Sequence, residues 1–572
     1  MRPARHLPLS AVTLCIATSA CQVTTAPTPS AKRDLVAHLI AQNDAAIPAQ
    51  LARQSHDRSK PTFGGIPAEN GLYHAGSASG FLCSLTAAYV SPSSRYAGSP
   101  QLLQALDDAA TFLLAAQHED GTIDLLTTNF HSPPDTGFVL EWVCAATSVL
   151  QSAQIPAAAP VLQKLLTFIR RGADALAIGG VHTPNHRWVV SMALARANAL
   201  VPDPRYVNRI DTWLAENVDI DPDGQFTERS TSIYSPLTDR CLVTIARLLD
   251  RQNLLDPVRR NLEMSLYYLH ADGQIATEGS RRQDQYQRSS MVPYYYPYRY
   301  MALHDHDGRF AAVVHQLETA PGANLSGQLI YFLESPELAA PLPEVQPLPN
   351  DFERHFAHSK LVRMRRGAVS ATILEDNPSF FSLHVGTAAV VMRFASAFFG
   401  KGQFAGSELH KEGSAWVLRQ ELTGPYYQPI AVAQRRADGN WLATGPDQRS
   451  TSEVQQLQSL VKIREQSGGF DVELEITGTD GVPIAIELGC YEDTQVSGAA
   501  PVAGDSQSLL MTNGKSALSI GTDHIDLHCE PVGHDEIEHS WTQIRGALPK
   551  LPGKSLYITG FTPFRRTLEF RK

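Results

Sequence analysis

The sequence predicts a multidomain α+β protein, in which N-terminal helical hairpins are followed by a C-terminal antiparallel β-sandwich. Turn signals recur at intervals of roughly fifty residues through the first part of the chain, which is typical of repeated helical hairpins. Five prolines between Pro336 and Pro349 end the helical pattern. Short runs that alternate apolar and polar residues follow these prolines and indicate antiparallel strands.

The amino terminus has the layout of a secretory signal peptide. Basic residues precede an apolar run from Leu7 to Ile16, and small residues then lead to Cys21. We assign residues 1–21 to the signal and residues 22–34, which are rich in Thr, Pro and Ser, to a tether. Cys21 resembles the lipidated first residue of a bacterial lipoprotein, and plain cleavage after Ala20 is the alternative. We expect an exported protein of the periplasm or outer membrane, with this lipid anchor as its only membrane attachment.

Residues 35–340 are assigned to the helical domain. Between turns, apolar residues recur at helical spacing; Ser99 and Pro100, for example, open a helix that places Leu102 and Leu106 on one face. Two helices in each of about six repeats would close a ring or stack as a solenoid. The turn signals of the repeat are Asn70-Gly71, Asp120-Gly121, Gly172-Asp174, Asp223-Gly224, Asp272-Gly273 and Pro321-Gly322.

Residues 341–350 are assigned to a proline-rich linker and residues 351–572 to the β-sandwich. Segments such as "FDVELEITG" and "VPIAIELGCYED" alternate apolar and polar residues, and Gly, Asp and Asn separate them. The five cysteines after Cys21 are far apart and odd in number, so we expect buried single thiols, with Cys490–Cys529 as the one candidate bridge.

The composition excludes two classes of partner. A net charge of -10 argues against nucleic acid, because binding to phosphates needs a broad basic face. No glycine-rich phosphate loop follows a predicted strand, which argues against a nucleotide cofactor. Any anionic substrate must therefore be bound by a local group of cations.

Three stretches that follow turns in the helical domain hold more polar side chains than folding requires. They are residues 129–138, 183–188 and 223–236. If the hairpins form a ring, equivalent loops lie at one end of it, and all three stretches converge on one cleft.

Two of these stretches resemble the motifs of a known group of enzymes. The run "PNHRWVVSMALARA", followed one repeat later by "DPDGQFTERSTSIYSP", is similar to the paired Asn-His and Asp-Gly…Glu…Tyr signatures of the heparinase II/III-like and alginate-lyase-like polysaccharide lyases. The resemblance implies an incomplete α/α toroid followed by an antiparallel β-sandwich. It also implies that His186 is a catalytic histidine, Asn185 a carboxylate-binding residue, Tyr234 a catalytic tyrosine and His384, in "FFSLHVG", an active-site histidine from the second domain.

The chain departs from this family at two positions. Ser235 follows Tyr234 where many members have His, and Glu278-Gly279-Ser280 stands where the family usually has Gly-Asp-Ser. These departures leave the substrate class open more than the reaction class.

Cleavage of a uronic acid polymer by β-elimination needs such residues. The C5 proton is weakly acidic while the neighbouring carboxylate is charged, so donors must neutralise it, and we assign Asn185, Arg229 and His384 to this task. A base then removes the proton and an acid protonates the leaving oxygen. Histidine, with a pKa of about 6.5, and tyrosine, with a pKa of about 10, suit these roles. We assign His186 as base and Tyr234 as acid; the reverse, or Tyr234 in both roles, stays open.

Other polar residues near these motifs are candidates for binding an anionic polysaccharide or oligosaccharide. Arginine forks pair with carboxylates or sulfates and aromatic faces stack on sugars, and residues 281–300 are rich in both, although a tyrosine-rich helix packing on the sandwich is the alternative. Asp135 has a second interpretation as a helix-capping residue. The substrate-binding candidates are Asn129, His131, Asp135, Trp188, Glu228, Arg282 and Arg299.

No cofactor is expected for the reaction itself. The resemblance implies that a structural zinc or calcium ion can occur in the sandwich, and a strand over "DHIDLHCE" would put His524, Asp526 and His528 on one face. A solvated strand face is the alternative.

The sequence thus favours a polysaccharide lyase that acts on a uronate-containing glycan. One alternative is a toroidal glycoside hydrolase with paired carboxylates drawn from Asp124, Asp135, Glu228 and Glu278. Another is a glycan-binding lipoprotein without catalytic activity.

Overall fold

The computed structural model describes residues 35–502, 504–531 and 544–572. The predicted signal peptide, the lipidation site Cys21 and the tether lie outside the described residues. Within them, no helix has both the length and the apolar character that a membrane span needs.

Twelve α-helices occupy the first part of the described chain, and most of them form hairpins in sequence order. Helices α2 to α11 make five consecutive pairs, and α12 packs back against α1, α2 and α4. Their bounds are α1 (Leu35–Arg53), α2 (Ala75–Val90), α3 (Pro100–Ala116), α4 (Pro133–Ser152), α5 (Ala159–Ile178), α6 (Pro184–Leu200), α7 (Pro204–Leu214), α8 (Tyr234–Leu249), α9 (Leu255–Ser265), α10 (Tyr295–Asp305), α11 (Gly308–Thr319) and α12 (Leu329–Glu334).

The hairpins form an inner and an outer layer of helices. Helices α2, α4, α6, α8 and α10 each pack against the next in this series and form the inner layer. Inner helix α6 is buried along most of its length, whereas outer helix α7 buries only Tyr206 and Ile210. Because direction alternates along a chain of hairpins, the inner helices all begin at the same end of the domain.

One predicted turn is wrong. Gly121, Gly224 and Gly273 lie in turns with positive φ, as expected, but Gly172 lies inside α5. A Cβ added to Gly172 would lie 3.0 Å from Leu140 Cδ1, so this glycine allows α5 to approach α4 closely.

Strands β1 and β2 form a small hairpin before α4, and the other strands form two stacked sheets. The eight-stranded sheet has the order β13-β16-β17-β19-β11-β10-β9-β8, and the nine-stranded sheet has the order β14-β15-β18-β12-β7-β6-β5-β4-β3. The bounds are β1 (Ile123–Leu125), β2 (Asn129–Ser132), β3 (Asp351–Phe356), β4 (Leu361–Arg366), β5 (Val369–Leu374), β6 (Phe381–Val385), β7 (Ala388–Ser396), β8 (Ser407–Glu412), β9 (Ala415–Tyr427), β10 (Thr451–Gln466), β11 (Gly469–Gly478), β12 (Pro483–Cys490), β13 (Gln495–Ser497), β14 (Ala499–Val502), β15 (Asp505–Met511), β16 (Lys515–Ile520), β17 (Asp523–His528), β18 (Lys554–Phe561) and β19 (Phe564–Arg571).

The sandwich differs from the expected antiparallel pattern at one pair of strands. Strands β15 and β18 are parallel. A parallel pair needs a long crossover connection, and the chain between these strands supplies one by forming β16 and β17 in the other sheet. Cys490 and Cys529 are free and buried, so the candidate bridge is absent.

The nine-stranded sheet packs on the helical domain. Phe356, Leu361 and Leu374 belong to the same apolar core as the helices. Polar contacts surround this apolar patch; for example, Ser359 Oγ donates a hydrogen bond to Asp221 Oδ2 at 2.7 Å. The polar segment between α9 and α10 also lies where the two domains meet, because His270 Nδ1 in this segment is 2.7 Å from Ser370 Oγ on β5.

Candidate active site

The three polar stretches lie at the starts of inner helices. Residues 129–138 lead into α4, residues 183–188 open α6, and residues 223–236 lead into α8. Since inner helices begin at one end of the domain, these stretches share that end. A ring contact between Phe138 and His186, with centroids 5.9 Å apart, joins the first stretch to the second.

His186, in the first turn of α6, is buried without a hydrogen-bond partner for its Nδ1 atom. The His182 ring packs edge-on against it at 4.7 Å. Burial lowers the pKa of His186 to about 4; the charges of His182 and Arg282 act in the same direction, and Asp135 opposes them. His186 is therefore neutral at neutral pH and able to accept a proton.

Asn185 precedes His186 at a helix start that lacks a side-chain cap. Its Nδ2 atom donates to Thr183 Oγ1 at 3.3 Å, and its Oδ1 atom is buried without a partner. Thr183 is the N-cap residue, but its hydroxyl makes no capping hydrogen bond. Pro184 has no N–H and the His186 N–H donates to the Thr183 carbonyl at 3.2 Å, so the start of α6 favours an anion through its positive helix end.

Tyr234 is the first residue of α8 and is partly exposed. Its hydroxyl oxygen accepts a hydrogen bond from Gln283 Nε2 at 2.9 Å. The guanidinium of Arg282 lies 5.2 Å from the centre of the Tyr234 ring. This contact of a cation with the face of the ring helps to hold the Tyr234 side chain in place.

Arg282 connects the tyrosine to the histidine. It forms an ion pair with Glu228 at 2.9 Å, and its charge also acts on His186. The Arg282 side chain is 37% exposed, whereas the second carboxylate oxygen of Glu228 is buried and has no partner. Arg282 therefore presents a positive charge beside the Tyr234 ring, at a position that solvent reaches, and this charge also acts on His186.

Sequence reasoning missed the residues that hold this arrangement. Asp284 is buried and accepts hydrogen bonds from Ser230 Oγ at 3.0 Å, Ser232 N at 2.9 Å and Ser280 Oγ at 3.0 Å. Ser230 Oγ in turn accepts from the Tyr234 backbone N–H at 3.2 Å. Asp284 thus fastens the loop that carries Arg282 to the start of α8. No sequence signal marked this role, because the partners lie a full repeat apart.

Arg229, predicted to bind the carboxylate, adopts a left-handed backbone conformation with φ of 48°. Its carbonyl oxygen accepts a hydrogen bond from the Arg281 backbone N–H at 2.7 Å. Burial lowers the pKa of Arg229, and the neighbouring Arg281 charge lowers it further. The two arginines therefore form a positive patch next to the Arg282 loop.

The residues predicted before α4 separate into two groups. Asp135 accepts hydrogen bonds from Asn129 Nδ2 at 2.9 Å and from Ser132 Oγ at 2.5 Å, and its charge acts on His186. His131 instead stacks on His118 at 3.8 Å and contacts Asp120 through Nδ1 at 2.7 Å. Asp135 and Asn129 therefore border the His186 site, whereas His131 belongs to an exposed surface cluster.

Two predicted substrate-binding residues are wrong, because both are structural. Trp188 is fully buried, and its Nε1 atom donates to Asp219 Oδ1 at 3.1 Å. Arg299 is buried too; it donates to the Leu338 carbonyl at 2.5 Å and forms an ion pair with Glu318 at 2.8 Å. The tyrosines around Arg299 are mostly buried in the helical core rather than available for stacking on sugars; they are Tyr294, Tyr295, Tyr296 and Tyr298.

The candidate metal strand does not gather its ligands. The side chains of His524 and Asp526 are about half exposed on β17, with His524 Nε2 at 4.0 Å from Asp526 Oδ2. His528 faces Glu569, at 4.0 Å, instead of these two. These three residues, which the spacing along the strand suggested as metal ligands, do not form a metal site in this arrangement.

His384 lies in a second polar cluster, at the contact between the two domains. Its Nε2 atom is 2.6 Å from Glu278 Oε1, and its ring stacks on His270 with centroids 3.7 Å apart. Burial and the His384 charge hold the pKa of His270 well below its usual range. Burial acts to raise the pKa of Glu278, but the hydrogen bond and charge of His384 lower it overall.

The carboxylates of the hydrolase alternative are each tied to a different partner. Asp124 contacts His118 at 2.8 Å, Glu278 contacts His384, and Glu228 is paired with Arg282. Asp135 accepts from two neutral donors. Their different partners argue against a facing pair of catalytic carboxylates.

No protein-family model matches this chain, and no curated protein matches it in sequence. Solved structures do match. Chondroitin AC lyase of Streptomyces coelicolor A3, in complex with chondroitin sulphate, is 15% identical with a TM-score of 0.51, and the match covers 96% of this chain and 78% of that chain. Heparinase III is 12% identical with a TM-score of 0.53, covering 94% and 82%. A Paenibacillus xanthan lyase is 9% identical with a TM-score of 0.53, covering 95% and 56%.

This similarity shows the fold. The predicted order of a helical toroid followed by a β-sandwich is confirmed. The roles of the individual residues stay predictions at these levels of identity.

Proposed function

We propose that this protein is a polysaccharide lyase that cleaves a uronic-acid-containing glycan by β-elimination. The observation that carries the proposal is the arrangement around Arg282, whose charge acts on the neutral, buried His186 and lies beside the ring of Tyr234. A base and an acid at the starts of two neighbouring inner helices, with a cation on the loop before α10, are the groups that this reaction needs.

The first task is to neutralise the substrate carboxylate. Arg282 supplies a charged fork that solvent reaches, and the Asn185 amide nitrogen, which donates one hydrogen bond to Thr183 Oγ1 at 3.3 Å, has a second N–H to give to the carboxylate. The start of α6 adds a positive helix end. Neutralising the carboxylate makes the adjacent C5 proton easier to remove, because the carbanion-like transition state is stabilised.

The second task is proton transfer. An imidazole nitrogen of His186 takes the C5 proton, and the electron pair left on C5 forms the double bond to C4 as the bond between C4 and the glycosidic oxygen breaks. The Tyr234 hydroxyl gives its proton to that oxygen. Binding of an anionic sugar also raises the basicity of His186, since a nearby negative charge favours the imidazolium that forms.

The fold and the predicted export agree with this reaction. Three structures with the same fold are a chondroitin lyase, a heparinase and a xanthan lyase, and one of them is a complex with chondroitin sulphate. We propose an anionic polysaccharide or oligosaccharide as substrate and a periplasmic or outer-membrane location, through the signal sequence and Cys21.

The test uses a panel of alginate, glycosaminoglycans and plant or bacterial uronans. Elimination gives a product with an unsaturated, ultraviolet-absorbing uronate end, and it takes up no oxygen from water labelled with oxygen-18. A labelled, saturated product would indicate a hydrolase instead. Binding to a glycan without any product would indicate a glycan-binding protein, and either of these two results would overturn the proposal.

A further inference from the structure

We propose that His270, Glu278 and His384 bind a divalent zinc ion that joins the helical domain to the β-sandwich. His270 and Glu278 lie in the segment between α9 and α10, and His384 lies on β6. The site is separate from the strand that the sequence suggested for a metal, and two of its three ligands come from the helical domain. The proposal does not depend on the elimination chemistry.

The three side chains meet as ligands of one ion would. One ligand atom of each lies within 4.8 Å of the other two, and this is the one such group of three among the described residues. All three residues are buried, with 2%, 4% and 5% of their surfaces exposed. Zinc bonds of about 2.1 Å put neighbouring ligand atoms roughly 3.4 Å apart, so small movements would complete the site.

Two orphaned polar atoms point to an ion at this position. His270 Nε2 and Glu278 Oε2 are both buried and have no hydrogen-bond partner. An unpaired buried polar atom costs about 1–3 kcal/mol, so two such atoms in one cluster need an explanation. A cation supplies it, because it bonds to lone pairs that no neighbouring donor reaches.

The surroundings fix the ligands in orientations that favour a metal. His270 Nδ1 lies 2.7 Å from Ser370 Oγ. A contact of this kind at one ring nitrogen orients the imidazole so that its other nitrogen, here Nε2, can bind a metal. Ser370 is on β5, next to His384 on β6, where the two residues are directly paired. The register of β5 and β6 therefore places the ligand His384 next to Ser370, the residue that orients the ligand His270.

The ligand set favours zinc among the common divalent ions. Two imidazoles and one carboxylate suit zinc, whereas calcium and magnesium prefer oxygen ligands alone. A cavity of about 40 Å³ borders Glu278 and His384 and is large enough for a water molecule as the fourth ligand. Its other walls include the apolar Val391 and Leu551 and the hydroxyl-bearing Tyr286 and Tyr491, and since all three ligands are buried the ion would be structural.

The chain contains a matched control for this cluster. His118 and His131 also stack, at 3.8 Å and with the same 16° between ring planes, and His118 contacts Asp124 at 2.8 Å. This second cluster is exposed: 58% of the His131 side chain is accessible. It tests whether stacked histidines beside a carboxylate are enough to hold zinc without burial.

The experiment measures zinc in the whole protein by mass spectrometry, after purification without chelator and incubation with zinc. We expect about one zinc per chain in the wild type and in His118→Asn, and less than about 0.1 in His270→Asn and Glu278→Gln. Wild-type protein without zinc, or variants that keep it, would overturn the proposal.

A second measurement covers the case in which the variants do not fold. Removing the metal from wild-type protein with a chelator should lower Tm by about 5 °C, and zinc should restore it. The zinc X-ray absorption edge of the loaded protein should show nitrogen and oxygen neighbours without sulfur. An unchanged Tm, or sulfur ligands from a cysteine, would contradict the site.

Discussion

The cleft cluster, formed by His186, Tyr234, Arg282 and Glu228, and the interface cluster, formed by His270, Glu278 and His384, contain similar chemical groups in different settings. In the cleft cluster the acid and the cation are partly exposed, and the histidine packs against the rings of Phe138 and His182. In the interface cluster a carboxylate contacts His384 directly, and each residue is 5% exposed or less.

The difference shows what decides the role of a histidine in this molecule. His186 is kept neutral and lies beside a cation that solvent reaches, so an anionic substrate can complete its surroundings. His384 and His270 already have carboxylate and hydroxyl partners and are closed in by both domains. The first setting suits proton transfer, and the second suits a permanent ligand.

The largest effect should come from Tyr234→Phe. Removing the proposed acid should lower turnover on the responsive glycan by about 10³-fold, because general acid catalysis contributes on this scale. Zinc content and Tm should not change, since the hydrogen-bond partner of this hydroxyl among the described residues is Gln283, which is exposed. Product formation followed by ultraviolet absorbance measures the loss.

Tyr300→Phe is the matched control for this prediction. Tyr300 is partly buried on α10, where it stacks on His304 at 6.0 Å and lies outside the cleft cluster. The control should keep its turnover. If Tyr234→Phe also keeps its turnover, Tyr234 is not the acid. The cleft cluster would then not differ from the interface cluster by a role in proton transfer.

The next effect should come from Asp284→Asn, which weakens the support of the cleft cluster. The buried carboxylate accepts from three serine hydroxyls and the Ser232 backbone, and an amide would turn a donor toward some of them. We expect the free energy of unfolding to fall by about 2–3 kcal/mol, measured with urea. Turnover per folded molecule should fall too, because Arg282 and Gln283 lose their fixed positions.

Asp493→Asn provides the comparison for Asp284. Asp493 forms an ion pair at 2.8 Å with Arg288, which lies in the same segment between α9 and α10 as Asp284. However, 56% of the Asp493 side chain is exposed. The loss should stay below about 1 kcal/mol, as for other exposed ion pairs. Equal losses in both variants would show that the Asp284 network is not special to the cleft.

The fold was predictable because its signals are local. Turn glycines, helix-opening prolines and alternating strands each depend on neighbouring residues, and they indicated both domains and the order in which they occur. Gly172 was misread because a glycine in a turn and a glycine at a helix contact look alike in sequence; only Leu140, on another helix, distinguishes them. The parallel pair of β15 and β18 likewise depends on a crossover between sheets.

The candidate site was predictable only in part, for the same reason. His186 and Tyr234 lie at helix starts and follow turns, so their placement was readable. Trp188 looked like a cleft residue, but Asp219, on the chain after α7, holds it in the core. Arg299 is tied to the end of the helical domain, and the role of Asp284 depends on serines a repeat away.

A smaller effect concerns the stability of the cleft cluster as pH falls. His186 has a pKa of about 4 in the folded protein, below the usual value of 6.5. Between these values the unfolded chain binds a proton that the folded chain does not, so His186 stabilises the fold above pH 6.5, and this contribution is lost as pH falls toward 4. Relative to His186→Gln, the wild type should lose about 2 kcal/mol between pH 7.5 and pH 5.

Urea unfolding at several pH values measures this difference, and subtracting the variant removes the titration of all other groups. Parallel curves for wild type and His186→Gln would show that the histidine is not held neutral by its surroundings. The two clusters would then no longer differ in how they hold the charge state of their histidines, although they would still differ in burial and in hydrogen-bond partners.

The smallest effect should come from Asp526→Asn, which tests the strand that resembled a metal site. The Asp526 side chain is 60% exposed, and its nearest histidine nitrogen is 4.0 Å away. Exposed side chains without a close partner change stability by less than about 0.5 kcal/mol, so neither the free energy of unfolding nor the zinc content should change. Loss of zinc in this variant, with zinc retained in His270→Asn, would place the ion on β17 instead of between the domains. Zinc binding would then depend on the spacing of ligands along a strand and not on their burial. The buried and unpartnered His270 Nε2 and Glu278 Oε2 atoms of the interface cluster argue against this outcome.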